Sequence, residues 1–81
     1  MEKTHYEVKK YEMFGVRLKA QMKAQGIDRY LLSDILCVTP STIAGYCSGR
    51  RSPSVVMLAE LARALGTTSD YLIGLTEYNG E

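Results

Sequence analysis

The sequence is poor in the residues from which metal centres, disulfide frameworks and membrane spans are built. Its 81 residues include two cysteines, one histidine, two prolines and no tryptophan. Two cysteines and one histidine do not make up a metal site, so we expect neither a metal nor a cofactor. No apolar run approaches the roughly 20 residues that cross a bilayer, and the first residues do not resemble a signal peptide. We therefore expect a cytoplasmic protein that does not bind membranes.

The two cysteines, Cys37 and Cys47, both lie inside the apolar pattern of the chain. A buried free thiol packs as a small hydrophobic group, and we expect this role for both. A disulfide or a redox switch is the alternative interpretation.

Sequence patterns typical of catalysis are also missing. There is no glycine-rich phosphate loop, no cysteine–histidine pair with suitable spacing and no cluster of carboxylates. Asp28 and Asp34 are interpreted as a helix cap and a surface charge. The expected protein is therefore not an enzyme.

Charge is small in total but unevenly distributed. The net charge is +1. Residues 1–27 carry six Lys/Arg against three Asp/Glu (+3), residues 28–53 three against two (+1), and residues 54–81 one against four (−3). Such a domain could approach a polyanion with its basic part leading. Ordinary solvated helix faces explain the charges alone equally well.

The composition that remains is that of a small globular domain built from helices. Hydrophobic residues make up 46% of the chain and charged residues 23%, which argues against a disordered tail. A chain of this length buries only about 60% of its extended surface, so its core must be efficient. Because no strand pattern, repeat or linker is visible, we predict an all-α, compact five-helix bundle.

The first predicted helix has an uncertain start. Apolar residues keep helical spacing up to a stop at Gly26: Val8, Tyr11, Leu18 and Met22, with Phe14 beside them. A capping box in residues 4–7 predicts an early start, whereas Gly15 inside the pattern allows one as late as residue 11. Residues 1–10 are therefore either a helix extension or a mobile arm.

Four further helices are predicted from N-cap residues and stop signals. They cover Arg29 to about Leu36, Pro40 to Ser48, a segment from Val55 stopped by Gly66, and a short helix between Thr68 and Gly74. The predicted caps are Asp28, Thr39, Ser54 and Thr68. The predicted core positions include Leu32, Ile35, Leu36, Val38, Ile43, Tyr46, Val55, Leu58, Leu61, Ala62, Leu65, Tyr71 and Leu72. The domain is expected over residues 11–75, with residues 76–81 as a frayed tail.

The second and third helices, at about residues 29–48, are too short to build separate cores. Two helices of about two turns, joined by a few residues, must lean on one another at a steep angle. This is the geometry of a helix-turn-helix. It leaves the outer face of the second helix of the pair free to enter a DNA major groove.

The segment from about Phe14 to Leu75 resembles the lambda-repressor-like, Cro-type (Xre-like) helix-turn-helix domain of phage and bacterial regulators. The resemblance covers about three quarters of the chain, and the combined order of its parts is specific. The apolar positions of the motif are matched, a Gly-basic-basic-x-Pro loop follows at Gly49–Pro53, and a Leu-x-x-Leu-Ala-x-Ala-Leu-Gly ending spans Leu58–Gly66. The stretch Ser69–Leu75 also resembles the close of many such domains.

The resemblance implies that Pro40–Ser48 is the recognition helix of a DNA-binding transcriptional regulator. The residues expected at base edges are Thr39, Pro40, Ser41, Thr42 and Gly45. Arg29 would reach phosphate or assist the first base contacts. Arg50 and Arg51, with the backbone amides around Gly49, would hold the flanking DNA backbone, which positions the protein without reading sequence.

Two departures from the family pattern have structural consequences. Cys37 replaces the usual turn glycine, where a positive φ would strain a residue with a Cβ by roughly a kcal/mol. Met22 and Cys47 occupy positions where many members have an Arg–Glu ion pair. Because replacing both partners by apolar groups can be neutral or stabilising, we expect Met22 to pack near Cys47.

The chemistry of the recognition helix leaves two functions open. Base readout usually relies on Arg, Lys, Asn or Gln, whereas this helix offers hydroxyls and apolar contacts. Thymine methyl contacts, water-mediated bonds and shape readout would then dominate. The alternative is a protein-interaction module, antitoxin-like or adaptor-like, with weak or lost DNA binding.

Tyr30 and Leu31 are either an exposed partner patch or packed on the first helix.

One short helix seldom supplies enough contacts for specific binding. We therefore expect operator half-sites about one helical turn apart, bound by a homodimer.

Overall fold

Side-chain oxygens cap four of the five helices in the computed structural model, which describes the backbone of residues 2–80 and the side chains of residues 13–80. The helices are α1 (Glu2–Gln25), α2 (Arg29–Leu36), α3 (Pro40–Ser48), α4 (Val55–Ala64) and α5 (Ser69–Leu72). No strand occurs between residues 2 and 80. The predicted all-α fold with five helices is confirmed.

The predicted N-caps account for where α2 to α5 begin. Asp28 accepts a hydrogen bond from the amide of Leu31 at 2.9 Å, and the hydroxyls of Thr39, Ser54 and Thr68 accept equivalent bonds in their helices. Each bond satisfies one of the amide groups that a helix start leaves unpaired. Pro40 follows its cap at the first turn, where a missing N–H removes no helix bond.

Helix α1 begins at Glu2, earlier than the predicted range, so residues 2–10 continue the helix. The side chains of Val8, Tyr11 and the predicted capping box lie outside the described residues. Gly15 does not interrupt α1. It lies where α1 crosses α3, and a Cβ there would be 3.1 Å from the carbonyl carbon of Cys47 and closer still to its oxygen. Glycine is therefore required by the close approach of two helices.

The core lies where all five helices meet. Helix α3 contacts α1 and α2, α4 contacts α2 and α5, and α5 returns to α1. Every helix contributes at least one completely buried side chain: Leu18, Leu32, Ile43, Leu61, Leu65 (at the end of α4) and Leu72. Tyr46 is also buried and Tyr71 is half-buried, as expected for tyrosines on apolar stripes.

Two predicted core residues are exposed, and the prediction is wrong for them. Ile35 is 49% exposed because the buried side of α2 runs through Leu32 and Ser33 to the partly buried Leu36, which leaves position 35 on the side of the helix. Val55 is 85% exposed because it is the first residue of α4, beyond the edge of the core.

Cys37 was predicted to be buried but is exposed. It ends α2 in the left-handed conformation, with φ 59° and ψ 42°. It is the only non-glycine residue with positive φ among the described residues. At this position the backbone turns and the side chain points away from the core.

We expect Cys37→Gly to raise the free energy of unfolding by about 0.5–1 kcal/mol. Glycine removes the left-handed strain of roughly 1–2 kcal/mol. Part of this stabilisation is offset because glycine has more conformational entropy than cysteine in the unfolded chain. Urea unfolding measures the difference. Cys37→Ala is the matched control, because it removes the thiol and keeps the Cβ. Equal gains from both substitutions would mean that the thiol, not the backbone, is unfavourable.

Residues 76–80 were predicted to be a frayed tail but lie against the domain. Arg17, only 9% exposed, donates from Nη1 to the carbonyls of Tyr71 and Thr76, and its Nη2 lies 2.9 Å from a Glu77 carboxylate oxygen. The guanidinium also lies 4.5 Å from the ring centroid of Tyr71. Gly80 lies beside the Gly66 carbonyl, so the contact between the tail and the domain continues to residue 80.

A second buried polar residue links α1 to the C-terminal cap of α4. Gln21 donates from its amide to the carbonyl of Leu65 at 3.0 Å, at the end of α4. This bond satisfies a carbonyl that the helix end would leave unpaired.

No helix within residues 2–80 has the length and apolar character needed to cross a bilayer.

Candidate nucleic-acid interface

The first turn of α3 presents hydroxyl groups to solvent. Thr39 and Ser41 are exposed, and Pro40 and Thr42 are half-buried. The hydroxyls of Thr39 and Thr42 are hydrogen-bonded to one another at 3.0 Å. Four of the five residues predicted at base edges are therefore accessible on one end of this helix. Helix α3 contains no acidic residue that would repel a polyanion.

Gly45, the fifth residue predicted at a base edge, is buried. A Cβ at this position would lie 2.7 Å from Cδ and 2.8 Å from Cγ of Arg51. The aliphatic stem of Arg51 therefore lies directly on the backbone of α3. The structure brings Gly45 and Arg51 together, although separate roles were predicted for the two residues.

The loop after α3 is held by its own backbone amides. Gly49 has φ 82° and donates to the carbonyl of Tyr46, Arg50 donates to the Ser48 hydroxyl, and Arg51 donates to the carbonyl of Gly45. All three amides around Gly49 thus have partners inside the chain. In this loop, the groups available to bind an external anion are therefore the side chains of Arg50 and Arg51, both of which are exposed.

Arg29 lies at the exposed start of α2 and stacks on its neighbour. Its Nη2 donates to the Tyr30 hydroxyl at 3.1 Å, and its guanidinium lies 5.1 Å from the ring centroid. The hydrogen bond that Arg29 donates to Tyr30 raises the pKa of Arg29 above its already high value, so the group stays charged. Tyr30 and Leu31 are both exposed, which favours the surface patch over packing on α1.

The expected contact between Met22 and Cys47 is confirmed. Sγ of Cys47 lies 3.9 Å from Sδ of Met22, where α1 meets α3. Burial raises the pKa of the Cys47 thiol above its usual range, although the nearby charges of Lys19 and Arg29 act in the opposite direction. The thiol is therefore neutral at pH 7. Both cysteines are free, and no metal-binding group of three or more ligands occurs in the described part of the chain.

Sequence reasoning missed the contact between Gly45 and Arg51, and the buried roles of Arg17 and Gln21. A glycine inside a nine-residue helix was the available signal for the first, because it costs helix stability unless a close neighbour needs the space. No signal marked the other two. Long polar residues in a surface helix are normally solvated.

The comparisons with known proteins agree with this geometry. A family model described as helix-turn-helix matches residues 18–72. The HTH-type transcriptional regulator AnsR of Bacillus subtilis (strain 168) is 41% identical over 58 residues, covering 72% of this chain and 50% of the regulator. The SPbeta prophage-derived uncharacterized HTH-type transcriptional regulator YonR of the same organism is 31% identical over 61 residues, covering 75% of this chain and 56% of that protein.

The chain therefore spans about half the length of these curated relatives. No solved structure matches it significantly. The match of the helix-turn-helix model covers α2 and α3, the loop at Gly49–Pro53 that contains Arg50 and Arg51, and helices α4 and α5. The chain belongs to the helix-turn-helix family, of the lambda-repressor-like, Cro-type kind that its sequence resembles.

Proposed function

We propose that this protein is a transcriptional regulator that binds double-stranded DNA by docking α3 in the major groove. The observation that carries the proposal is the accessible first turn of α3, together with the exposed side chains of Arg29, Arg50 and Arg51. A helix of this diameter fits the major groove of B-DNA. The regulators AnsR and YonR, which share the motif, support a role in transcription.

Electrostatic attraction in this proposal comes from side chains. Arg29 and Arg50 hold phosphates on the two sides of the groove, since the amides around Gly49 already have partners. These contacts fix orientation and carry no sequence information. Thr39, Pro40, Ser41 and Thr42 face the base edges, where hydroxyls and small apolar groups complement thymine methyls and ordered water.

A homodimer on half-sites about one helical turn apart is part of the proposal. A single α3 of nine residues offers few base contacts, and two-fold symmetry doubles them. Such a regulator would act in the cytoplasm of a bacterium, where its DNA is, and non-covalent binding would be its whole chemistry.

Selection of bound sequences from a random duplex pool, followed by salt titration, tests the proposal. We expect binding to weaken steeply as salt rises, because each neutralised phosphate contributes about 0.9 to the logarithmic slope. Arg50→Ala is expected to weaken binding to all sequences and to lower that slope by about 1. Ser41→Ala is expected to alter base preference more than overall affinity.

Arg63→Ala is the matched control for loss of charge. Arg63 is exposed on α4, where it pairs with Glu60, and its loss should leave the salt slope unchanged. The protein-interaction alternative predicts a different result: no measurable duplex binding even at low ionic strength. Equal effects of Arg50→Ala and Arg63→Ala would place the docking face elsewhere.

A further inference from the structure

We propose that Arg51 is a base-reading residue, held over the outer face of α3 by Gly45 and Thr42, and that the base it selects is guanine. This inference rests on the proposed function. It replaces the predicted role of Arg51 in holding phosphate with a role in specificity.

Helix α3 lacks the side chains that normally discriminate between bases. Its sequence, PSTIAGYCS, contains no Arg, Lys, Asn or Gln. Hydroxyl groups pair with donors and acceptors alike and therefore discriminate little. A regulator with this helix needs a long polar side chain from outside it, placed at the same surface.

The structure places the stem of Arg51 at that surface. Cγ and Cδ of Arg51 occupy the space next to Gly45, within 2.8 Å of where a Cβ would be. Only glycine leaves this path open across the helix. The backbone of Arg51 is fixed at the same point, since its amide donates to the Gly45 carbonyl at 3.1 Å.

The guanidinium is directed toward the first turn of α3. Nη1 of Arg51 donates to the hydroxyl of Thr42 at 3.3 Å, and Thr42 is hydrogen-bonded to the N-cap residue Thr39. The charged end of Arg51 therefore lies among the residues proposed to face the bases. The alternative, a guanidinium directed away from α3 toward the DNA backbone, is not the arrangement observed.

The chemistry of this group favours guanine. A guanidinium carries five N–H donors in a planar fork, and the long bond to Thr42 uses one of them. Two parallel donors match O6 and N7 of guanine in the major groove, which is the commonest specific protein–DNA contact. The bond to Thr42 presets the direction of the fork before DNA binds, which reduces the ordering cost of binding.

Arg50 provides a comparison within the same loop. Its guanidinium also comes near Gly45, but through the mobile end of the side chain, with Nη2 3.2 Å from the position of a Cβ. Its stem does not lie in the space next to Gly45 as that of Arg51 does. We therefore retain a phosphate-binding role for Arg50.

The test measures affinity of the full chain for the selected duplex and for its single-base variants, at low and higher salt. We expect Arg51→Ala to lose about 5- to 150-fold of discrimination at one guanine of each half-site. Gly45→Ala displaces Arg51 but keeps its charge, so we expect it to reduce the same preference while the salt slope is retained. Arg50→Ala should lower affinity for every variant equally.

The double substitution Gly45→Ala with Arg51→Ala distinguishes displacement of the Arg51 side chain from obstruction of the DNA by the added methyl group. If Gly45 acts through Arg51, the double variant discriminates no worse than Arg51→Ala alone. The inference is overturned if the double variant discriminates less than Arg51→Ala, or if Arg51→Ala loses affinity equally for all four bases. Either result leaves the proposed DNA-binding function standing. A wild-type chain that binds no duplex at about 50 mM salt overturns the proposed function as well. Circular dichroism verifies that each variant is folded.

Discussion

Gly15→Ala is expected to lower the free energy of unfolding by about 3 kcal/mol, the upper end of the cost of inserting one methyl group into a well-packed contact. The added Cβ would meet the backbone of Cys47, not a movable side chain. Helices α1 and α3 must then separate. This cost exceeds the gain of about 1 kcal/mol that alanine brings to a helix interior.

Thermal unfolding followed by circular dichroism measures the effect, and a melting temperature lower by about 12–24 °C is expected for a domain of this size. Gly45→Ala is the matched control, since Gly45 is also inside a helix but its Cβ would meet the side chain of Arg51. We expect that variant to remain within about 1 kcal/mol of the wild type. Similar losses in both variants would contradict the role given to the α1–α3 contact.

Arg17→Met is expected to cost about 2–3 kcal/mol and to release residues 76–80 from the domain. The guanidinium makes charge-assisted bonds to the carbonyls of Tyr71 and Thr76, and such bonds contribute about 1.5–3 kcal/mol. Methionine keeps the apolar stem and removes the donors. Urea unfolding measures the stability, and amide hydrogen exchange of residues 76–80 measures the release.

Glu77→Gln separates the carbonyl bonds from the ion pair. The Glu77 side chain is 93% exposed, so we expect its neutralisation to change stability by less than about 0.5 kcal/mol. A cost equal to that of Arg17→Met would mean that the ion pair, not the two carbonyls, holds the tail.

The helix starts could be predicted because they depend on local chemistry. Asp28, Thr39, Ser54 and Thr68 cap their own helices through residues three positions later, so the sequence alone contains both partners. The left-handed conformation of Cys37 was expected on other grounds, because this residue occupies the turn-glycine position of the family that the sequence resembles. Local patterns say less about which face of a short helix is buried, as the exposure of Ile35 shows.

The remaining features depend on tertiary contacts, some of them between residues that are distant in sequence. Arg17 contacts residues more than 50 positions away, and its type and spacing are those of any solvated arginine. The direction of the Arg51 side chain depends on how the loop returns across α3, which the residue types do not reveal. The exposure of Thr39 and Ser41 follows from the packing of Ile43 and Tyr46 inward, which the apolar spacing did predict.

The sulfur pair between α1 and α3 makes the fold and its binding respond differently to ionic strength. Met22 and Cys47 pack without charge at pH 7, whereas an arginine and a glutamate at the same positions would be screened as salt rises. Under the proposed function, adding salt would release DNA without weakening this junction. Salt-induced dissociation would then report the broken phosphate contacts and not a loosening of the helices that present them.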